Sequence, residues 1–258
     1  MAAIGVLGVA PVAGAGVATR LEPHVKLVAV FAFALVVVST PVRASWAPSV
    51  YATQLVLVLA VAAVAGVRPG RLARGLLVEI PFVAFALLLP VVSRGPRIDV
   101  LGLSLSVDGL AVGGGILAKA TLSVLAATVL AATTDPRALL RGLERLRLPA
   151  LLVQILSFMI RYADVVAAEL RRMRMAREAR GFRGRHLGAL RVLGPTAGAL
   201  FVRSFERGER VHLAMLSRGY AGRLPSVAPA PVPPAHWVAA LALPVSAASV
   251  LLATALLG

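Results

Sequence analysis

The sequence predicts an all-α integral membrane protein of about five transmembrane helices, with a basic helical region between the fourth and fifth spans. Three observations lead there. Hydrophobic residues make up 59% of the 258, charged residues only 15%, and mean hydropathy is +0.88, whereas a soluble domain is roughly 45–50% apolar. Apolar runs near the ~20 residues that cross a bilayer as a helix recur five times. The basic side chains are also concentrated: residues 134–235 hold 18 of the 27 Lys and Arg but 7 of the 11 Asp and Glu, so this stretch carries +11 of the net +16.

Residues 1–24 form an N-terminal segment, cytoplasmic or interfacial. Residues 2–18 are apolar, but Gly5, Gly8, Pro11, Gly14 and Gly16 make a poor helix, and no basic region with a small-residue cleavage site marks a signal peptide. A four-helix transmembrane region follows over 25–133. Its spans are Val25–Pro41, Ser49–Val67, Leu76–Val92 and Gly109–Ala132. Residues 134–224 are the basic block. Residues 225–235 hold Pro225, Pro229, Pro231, Pro233 and Pro234 and read as an extended linker. The last span, His236–Leu257, lies within 236–258. Arg68, Arg71 and Arg74 between spans two and three, together with the basic block, mark the cytoplasmic side and leave the N-terminus inside. The chain is therefore expected to be a multi-pass protein of the cell (plasma) membrane, with its C-terminus outside.

Within the block, Asp135-Pro136 is an N-cap followed by proline at the first helical position, opening a helix over Arg137–Leu146. A second helix runs Ala150–Arg180; its apolar face through Tyr162, Val166, Leu170 and Met173 turns cationic at Arg177 and Arg180. A third, Leu187–Arg218, carries Arg203, Arg207, Arg210 and Arg218 on one side and Phe201, Phe205, His212 and Leu216 on another, with a break expected at Gly194-Pro195. Glu206 and Arg210 make an i,i+4 pair. Both long helices end alike, in Ala179-Arg180-Gly181-Phe182 and Ser217-Arg218-Gly219-Tyr220. Each arginine falls where the helix dipole favours a cation and each glycine where a left-handed cap is wanted. Three readings fit two arginine-tipped amphipathic helices: an association with the inner leaflet, a plain helical subdomain, or docking into acidic pockets of a partner protein.

Other chemistry is set aside on composition. Cysteine is absent, so disulfides and thiolate sites are excluded. His24, His186, His212 and His236 share no ligand spacing, so no metal site is expected. Aromatics are 5% of the chain, too sparse for stacking on nucleic acid. The carboxylates are scattered, and no Ser-His-acid grouping is apparent, so the chain is not expected to be an enzyme or to bind a cofactor. Gly113-Gly114-Gly115 lacks the ending of a phosphate loop and reads as close helix packing. Lys119, inside span four, is a candidate intramembrane contact, and Glu79 is expected at the interface.

The paired Arg-Gly motifs occur in company. Arg20-Leu21-Glu22-Pro23-His24-Val25-Lys26-Leu27, Thr133-Thr134-Asp135-Pro136, Arg161-Tyr162 and Arg203-Ser204-Phe205-Glu206-Arg207-Gly208-Glu209-Arg210 appear in order with them. Together they resemble the transmembrane T component of energy-coupling factor (ECF) transporters, and within it the cobalt-type CbiQ family. Ser217 departs from the alanine of many relatives, at similar size.

The resemblance implies a coupling subunit of an ABC-type importer. Two cytoplasmic nucleotide-binding ATPase subunits, holding ATP and Mg, would drive a separate membrane subunit that captures the substrate. The basic block would supply the coupling helices, docking through Ala179, Arg180, Gly181, Ser217, Arg218 and Gly219. Arg177, Arg203, Glu206, Arg207 and Arg210 are candidates for further contacts along those helices. Cobalt is the expected substrate, with nickel or a vitamin such as biotin as alternatives. A non-transport scaffold that binds anionic lipid through its basic helices remains a second reading.

Overall fold

The computed structural model describes residues 21–100, 103–182, 190–222 and 231–257. The expected segment 1–20, the start of the third block helix at Leu187–Ala189, His186 and linker residues 225–230 lie outside them. Prolines and caps set most helix starts. Helix α1 (Pro23–Ser39) begins on Pro23, and α2 (Ala47–Val64) has Pro48 in its first turn. A short helix α3 (Pro69–Leu76) opens on Pro69 and runs through a 3-10 turn at Leu77–Glu79 into α4 (Ile80–Val92). Proline costs nothing at these positions because the first N–H groups of a helix have no internal partner.

Between α4 and the next helix lies a two-stranded antiparallel pair. Strands β1 (Arg97–Val100) and β2 (Leu103–Ser106) pair antiparallel, with Arg97 opposite Ser106 and Ile98 opposite Leu105. Polar and apolar residues alternate along both strands, which is the period-two signal of a strand. Ser106 then caps α5 (Val107–Thr133) by accepting from the Gly109 N–H at 3.3 Å, and Asp108 sits in the first turn, where the dipole favours an acid. Asp135 likewise accepts from the Arg137 N–H at 2.7 Å and opens α6 (Pro136–Arg145).

The remaining helices are α7 (Ala150–Ala179), α8 (Leu190–Leu216) and α9 (Pro234–Leu257). The expected break at Gly194-Pro195 is absent: α8 continues through Pro195. Proline normally pushes its predecessor out of helical geometry by clashing with its Cβ, and Gly194 has none. Near a helix start, proline also forfeits few hydrogen bonds.

Among the described residues, five helical stretches are long and apolar enough to span a membrane: Ala47–Val64, Pro69–Val92, Val107–Thr133, Ala150–Ala179 and Pro234–Leu256. The protein is a multi-pass, all-α membrane protein, but these five differ by one from the five runs picked from the sequence. Helix α1 has 17 residues, about 26 Å at ~1.5 Å per residue and short of a ~30 Å hydrocarbon core. Helix α7 joins instead, because the first half of its 30 residues is apolar.

The chain divides into two compact units, with the boundary between Gly142 and Leu143, inside α6. The membrane unit comprises α1 to α5, the start of α6, and α9. Phe33, Val37, Val58, Leu122, Leu125, Ala126 and Ala247 form its main core. Helices α4 and α5 approach closely through glycine: a Cβ on Gly109 would sit 2.6 Å from Pro90 Cα, and one on Gly113 2.6 Å from Ala86 O. Gly115 faces Val42 with as little room, whereas Gly114 meets open space, so close packing accounts for two of the three glycines in the run. Gly142 lets α6 meet the start of α1 in the same way, against His24 N. The second unit contains α7 and α8.

Candidate functional site

Both Arg-Gly motifs fold into the same cap. At the first, Ala179 ends α7, Arg180 is the C-cap, and Gly181 takes φ +82°. The Gly181 N–H donates to Glu178 O at 3.0 Å and the Phe182 N–H to Arg177 O at 3.1 Å. At the second, Gly219 also has φ +82°, its N–H donates to Leu216 O at 3.0 Å, and the Tyr220 N–H donates to Met215 O at 3.0 Å. These are Schellman motifs, which satisfy carbonyls that a helix end otherwise leaves open. Glycine is needed because the left-handed turn strains any residue with a Cβ. Around both glycines there is open space, so the constraint is conformational and not steric.

The caps leave Arg180 and Arg218 exposed, as are Ala179, Gly181, Ser217 and Gly219. Neither arginine has an acidic partner among the described residues. The second cap alone is anchored by its aromatic residue. Tyr220 Oη donates to Gln154 Oε1 at 2.8 Å, and Gln154 Nε2 donates to Gly222 O at 3.4 Å. Gln154 is buried near the start of α7. Phe182, at the equivalent place in the first cap, has no hydroxyl with which to do the same.

Pairing between α7 and α8 fixes where the caps stand. Gln154 meets Tyr220, Glu169 forms an ion pair with Arg203, and Arg177 Nη1 donates to Thr196 Oγ1 at 3.5 Å. One number rises as the other falls, so the helices run antiparallel and their C-terminal caps lie at opposite ends of a hairpin. Arg177 stands level with Thr196, one turn before the first cap, and Arg218 is ~33 Å from that level along the axis of α8 at ~1.5 Å per residue. A cleft adjoins each cap. Among the described residues, the one at Arg180, about 790 Å³, is lined by Arg172, Arg177 and Arg203 with Glu169 as its only acid, and the one at Arg218, about 530 Å³, by Arg161, Tyr162 and Tyr220 with no acid. Both are net cationic.

The other residues singled out on these helices are placed unevenly. Arg177 and Arg203 line the first cleft. Glu206 and Arg210 make the expected i,i+4 pair at 3.9 Å on the exposed surface. Arg207 is half-buried. Glu169 is held by two arginines, Arg172 at 2.7 Å and Arg203. Phe201 and Phe205 stack at 6.4 Å between ring centres but remain exposed.

In the membrane unit, Lys119 Nζ donates to Val38 O at 2.8 Å, a carbonyl in the last turn of α1. Lys26 does the converse: its Nζ donates to Thr133 O at 3.1 Å and Thr134 Oγ1 at 3.4 Å, at the end of α5. Each lysine thus closes the C-terminus of the facing helix, where carbonyls lack partners and the dipole favours a cation. Lys26 was visible only as part of a motif; a lysine four residues into an apolar helix is the signal that it bonds inward. Glu79 is 4% exposed, and Thr121 Oγ1 donates to its Oε2 at 2.8 Å, because the turn at Leu77–Glu79 sets it against α5. Among the described residues no group of three His, Asp or Glu side chains could hold a metal ion.

An apolar helical unit and a basic helical hairpin tipped with two exposed arginines define the class: a multi-pass membrane protein. Residues 14–227 match the model of the CbiQ family, described as cobalt transport protein. The chain is 30% identical over 225 residues to the energy-coupling factor transporter transmembrane protein EcfT of Bacillus selenitireducens, covering 82% of each chain. It is 30% identical over 130 residues to an uncharacterised protein of Methanocaldococcus jannaschii, covering 50% of this chain and 48% of that one. It is 29% identical over 123 residues to the cobalt transport protein CbiQ of Rhodobacter capsulatus, covering 48% and 50%. The matched stretch thus spans about half the length of the last two relatives. The chain belongs to the CbiQ family, whose members include membrane components of ECF transporters.

Proposed function

We propose that this chain is the transmembrane coupling subunit of an ECF-type importer. It transmits motion from two cytoplasmic nucleotide-binding ATPase subunits to a separate membrane subunit that captures the substrate, a cobalt ion. The observation that carries this reading is the pair of matching caps, each presenting an exposed arginine without an acidic partner beside a cationic cleft. A carboxylate-lined groove complements such a tip, because guanidinium makes paired, directional hydrogen bonds to carboxylates. Two tips at opposite ends of one hairpin suit two partner subunits. Ala179, Gly181, Ser217 and Gly219 keep bulk away from the docking arginines. In this reading ATP and Mg belong to the ATPases, and the chain is non-catalytic and binds no nucleic acid.

Charge supports a cytoplasmic hairpin. Helix α7 is long and apolar enough to cross a membrane, but its antiparallel pairing means that α8 would have to cross with it. Arg203, Glu206, Arg207, Glu209 and Arg210 lie in α8, and an arginine at the bilayer centre costs about 2.5–3.5 kcal/mol. The hairpin therefore stays out of the hydrocarbon, and its excess of arginine favours the cytoplasmic side. With α1, whose 17 residues stand at the lower end of the spanning range, as the first of five spans, the N-terminus lies on the cytoplasmic side and the C-terminus outside.

Purification from native membranes in mild detergent tests the whole reading. Two nucleotide-binding subunits and a small membrane subunit are expected to copurify, and the ligand of the latter names the substrate. The isolated chain is expected neither to hydrolyse ATP nor to retain cobalt tightly; stoichiometric metal binding by it would refute this division of labour. Because cysteine is absent, an Arg141→Cys variant reports topology directly. Labelling by an impermeant reagent outside intact cells would overturn the orientation.

A further inference from the structure

The membrane unit contains a second feature that coupling does not use. A cleft of about 450 Å³ lies between α1, α2, α5 and α9, within the roughly 300–1,000 Å³ of small-molecule sites. Its wall is hydrocarbon, from Val30, Leu57, Val61, Val129 and Leu243. Lys26 stands at one end, 8% exposed. Its two hydrogen-bond partners are a carbonyl and a hydroxyl, both neutral. An ammonium has three donors, so one remains free, and among the described residues no carboxylate reaches it. Burying a cation without a counter-charge is expensive. Ala60, Val64, Ala239 and Ala242 at the rim are exposed, so the cleft opens on the outer surface of the unit, where lipid is the solvent.

We propose that this cleft binds one anionic phospholipid, its phosphate against Lys26 and an acyl chain along the apolar wall. The two halves of the site match the two halves of that molecule: a buried, uncompensated cation at the end of an apolar slot. A zwitterionic lipid carries its own cation and neutralises Lys26 less well. The leaflet rests on the orientation proposed above, which puts the Lys26 end at the cytoplasmic face, where anionic lipids attract basic residues; the site itself does not depend on it.

The test uses the full chain, delipidated in detergent, with phosphatidylglycerol, phosphatidylcholine and oleate as probes and native mass spectrometry as the readout. Phosphatidylglycerol should bind at one per chain and about tenfold more tightly than phosphatidylcholine, as expected for a charge-assisted hydrogen bond. Lys26→Gln keeps an amide donor but removes the charge, and should abolish that preference. Ala239→Trp fills the cleft from its exposed rim and should reduce binding of both lipids; it decides the matter if Lys26→Gln does not fold. Equal binding of the two phospholipids, oleate outcompeting phosphatidylglycerol, or full lipid binding by a folded Ala239→Trp protein would each overturn the proposal. Failure of ATPase copurification would leave these outcomes unaffected, so the two readings fail separately.

Discussion

The membrane unit and the basic hairpin use one electrostatic device in opposite ways. In both, a cation meets the carbonyl end of a helix, where the dipole favours it. In the membrane unit the cation comes from the facing helix: Lys119 reaches the end of α1 and Lys26 the end of α5, so the interaction closes the bundle on itself. In the hairpin the cation belongs to the helix it caps. Backbone N–H groups of Gly181, Phe182, Gly219 and Tyr220 already satisfy the carbonyls, and the Arg180 and Arg218 side chains are left exposed, as the proposed docking requires. An inward cation holds a fold together; an outward one is available for assembly.

Charge reversal should therefore separate the two regions, and the outward pair should show the largest effect. Arg180→Glu or Arg218→Glu is expected to cost about 2–5 kcal/mol of ATPase binding, as breaking a desolvated charge pair does. Both together should abolish uptake while membrane insertion, followed by fractionation, stays intact. Arg174→Glu, on α7 but outside the caps, should do much less; an equal loss would point to a diffuse attraction to the inner leaflet.

Lys119→Glu should act on the fold instead. It replaces a donor by a like charge at the negative end of α1, costing about 1–3 kcal/mol for the lost bond and up to ~2 kcal/mol more from the dipole. Lower yields of monodisperse protein are expected with or without ATPases, with Lys119→Gln largely restoring them. A fully stable Lys119→Glu protein would remove the contrast drawn between the regions.

The caps themselves come next. Gly181→Ala and Gly219→Ala meet open space, so each should cost only the ~1–2 kcal/mol of holding a Cβ in the left-handed region. Weakened ATPase binding without loss of the membrane unit is the expected readout, measured by pull-down.

The smallest effect sharpens the difference between the two caps. Tyr220→Phe removes the hydroxyl bonded to Gln154 and should cost about 1 kcal/mol. Hydrogen exchange at residues 217–222 should rise while the first cap stays unchanged. Equal changes at both caps would mean that Gln154 does not anchor the second.

Much of this was readable along the chain. Pro23, Pro69 and Pro136 announced helix starts, and the Asp135 cap and both Arg-Gly ends form where local rules place them. Strands β1 and β2 carry the alternation of a strand, but at four residues each they are too short for periodicity to separate them from a loop. Continuation of α8 through Pro195 depends on Gly194, a neighbour effect that a proline rule alone misreads. That Glu79 faces Thr121 on α5 depends on the turn before α4, which links residues 42 positions apart.

The sequence by itself determined the membrane class, the helices and the chemistry of the two caps, because hydropathy and capping act between residues a few positions apart. Only the tertiary structure decided that the caps stand at opposite ends of a hairpin, and that Lys119 and Lys26 close helices 81 and 107 residues away. The reason is that helices apolar on nearly every side carry no stripe to name their neighbours. Which faces meet is then settled by close glycine packing and by where a few buried polar groups find partners.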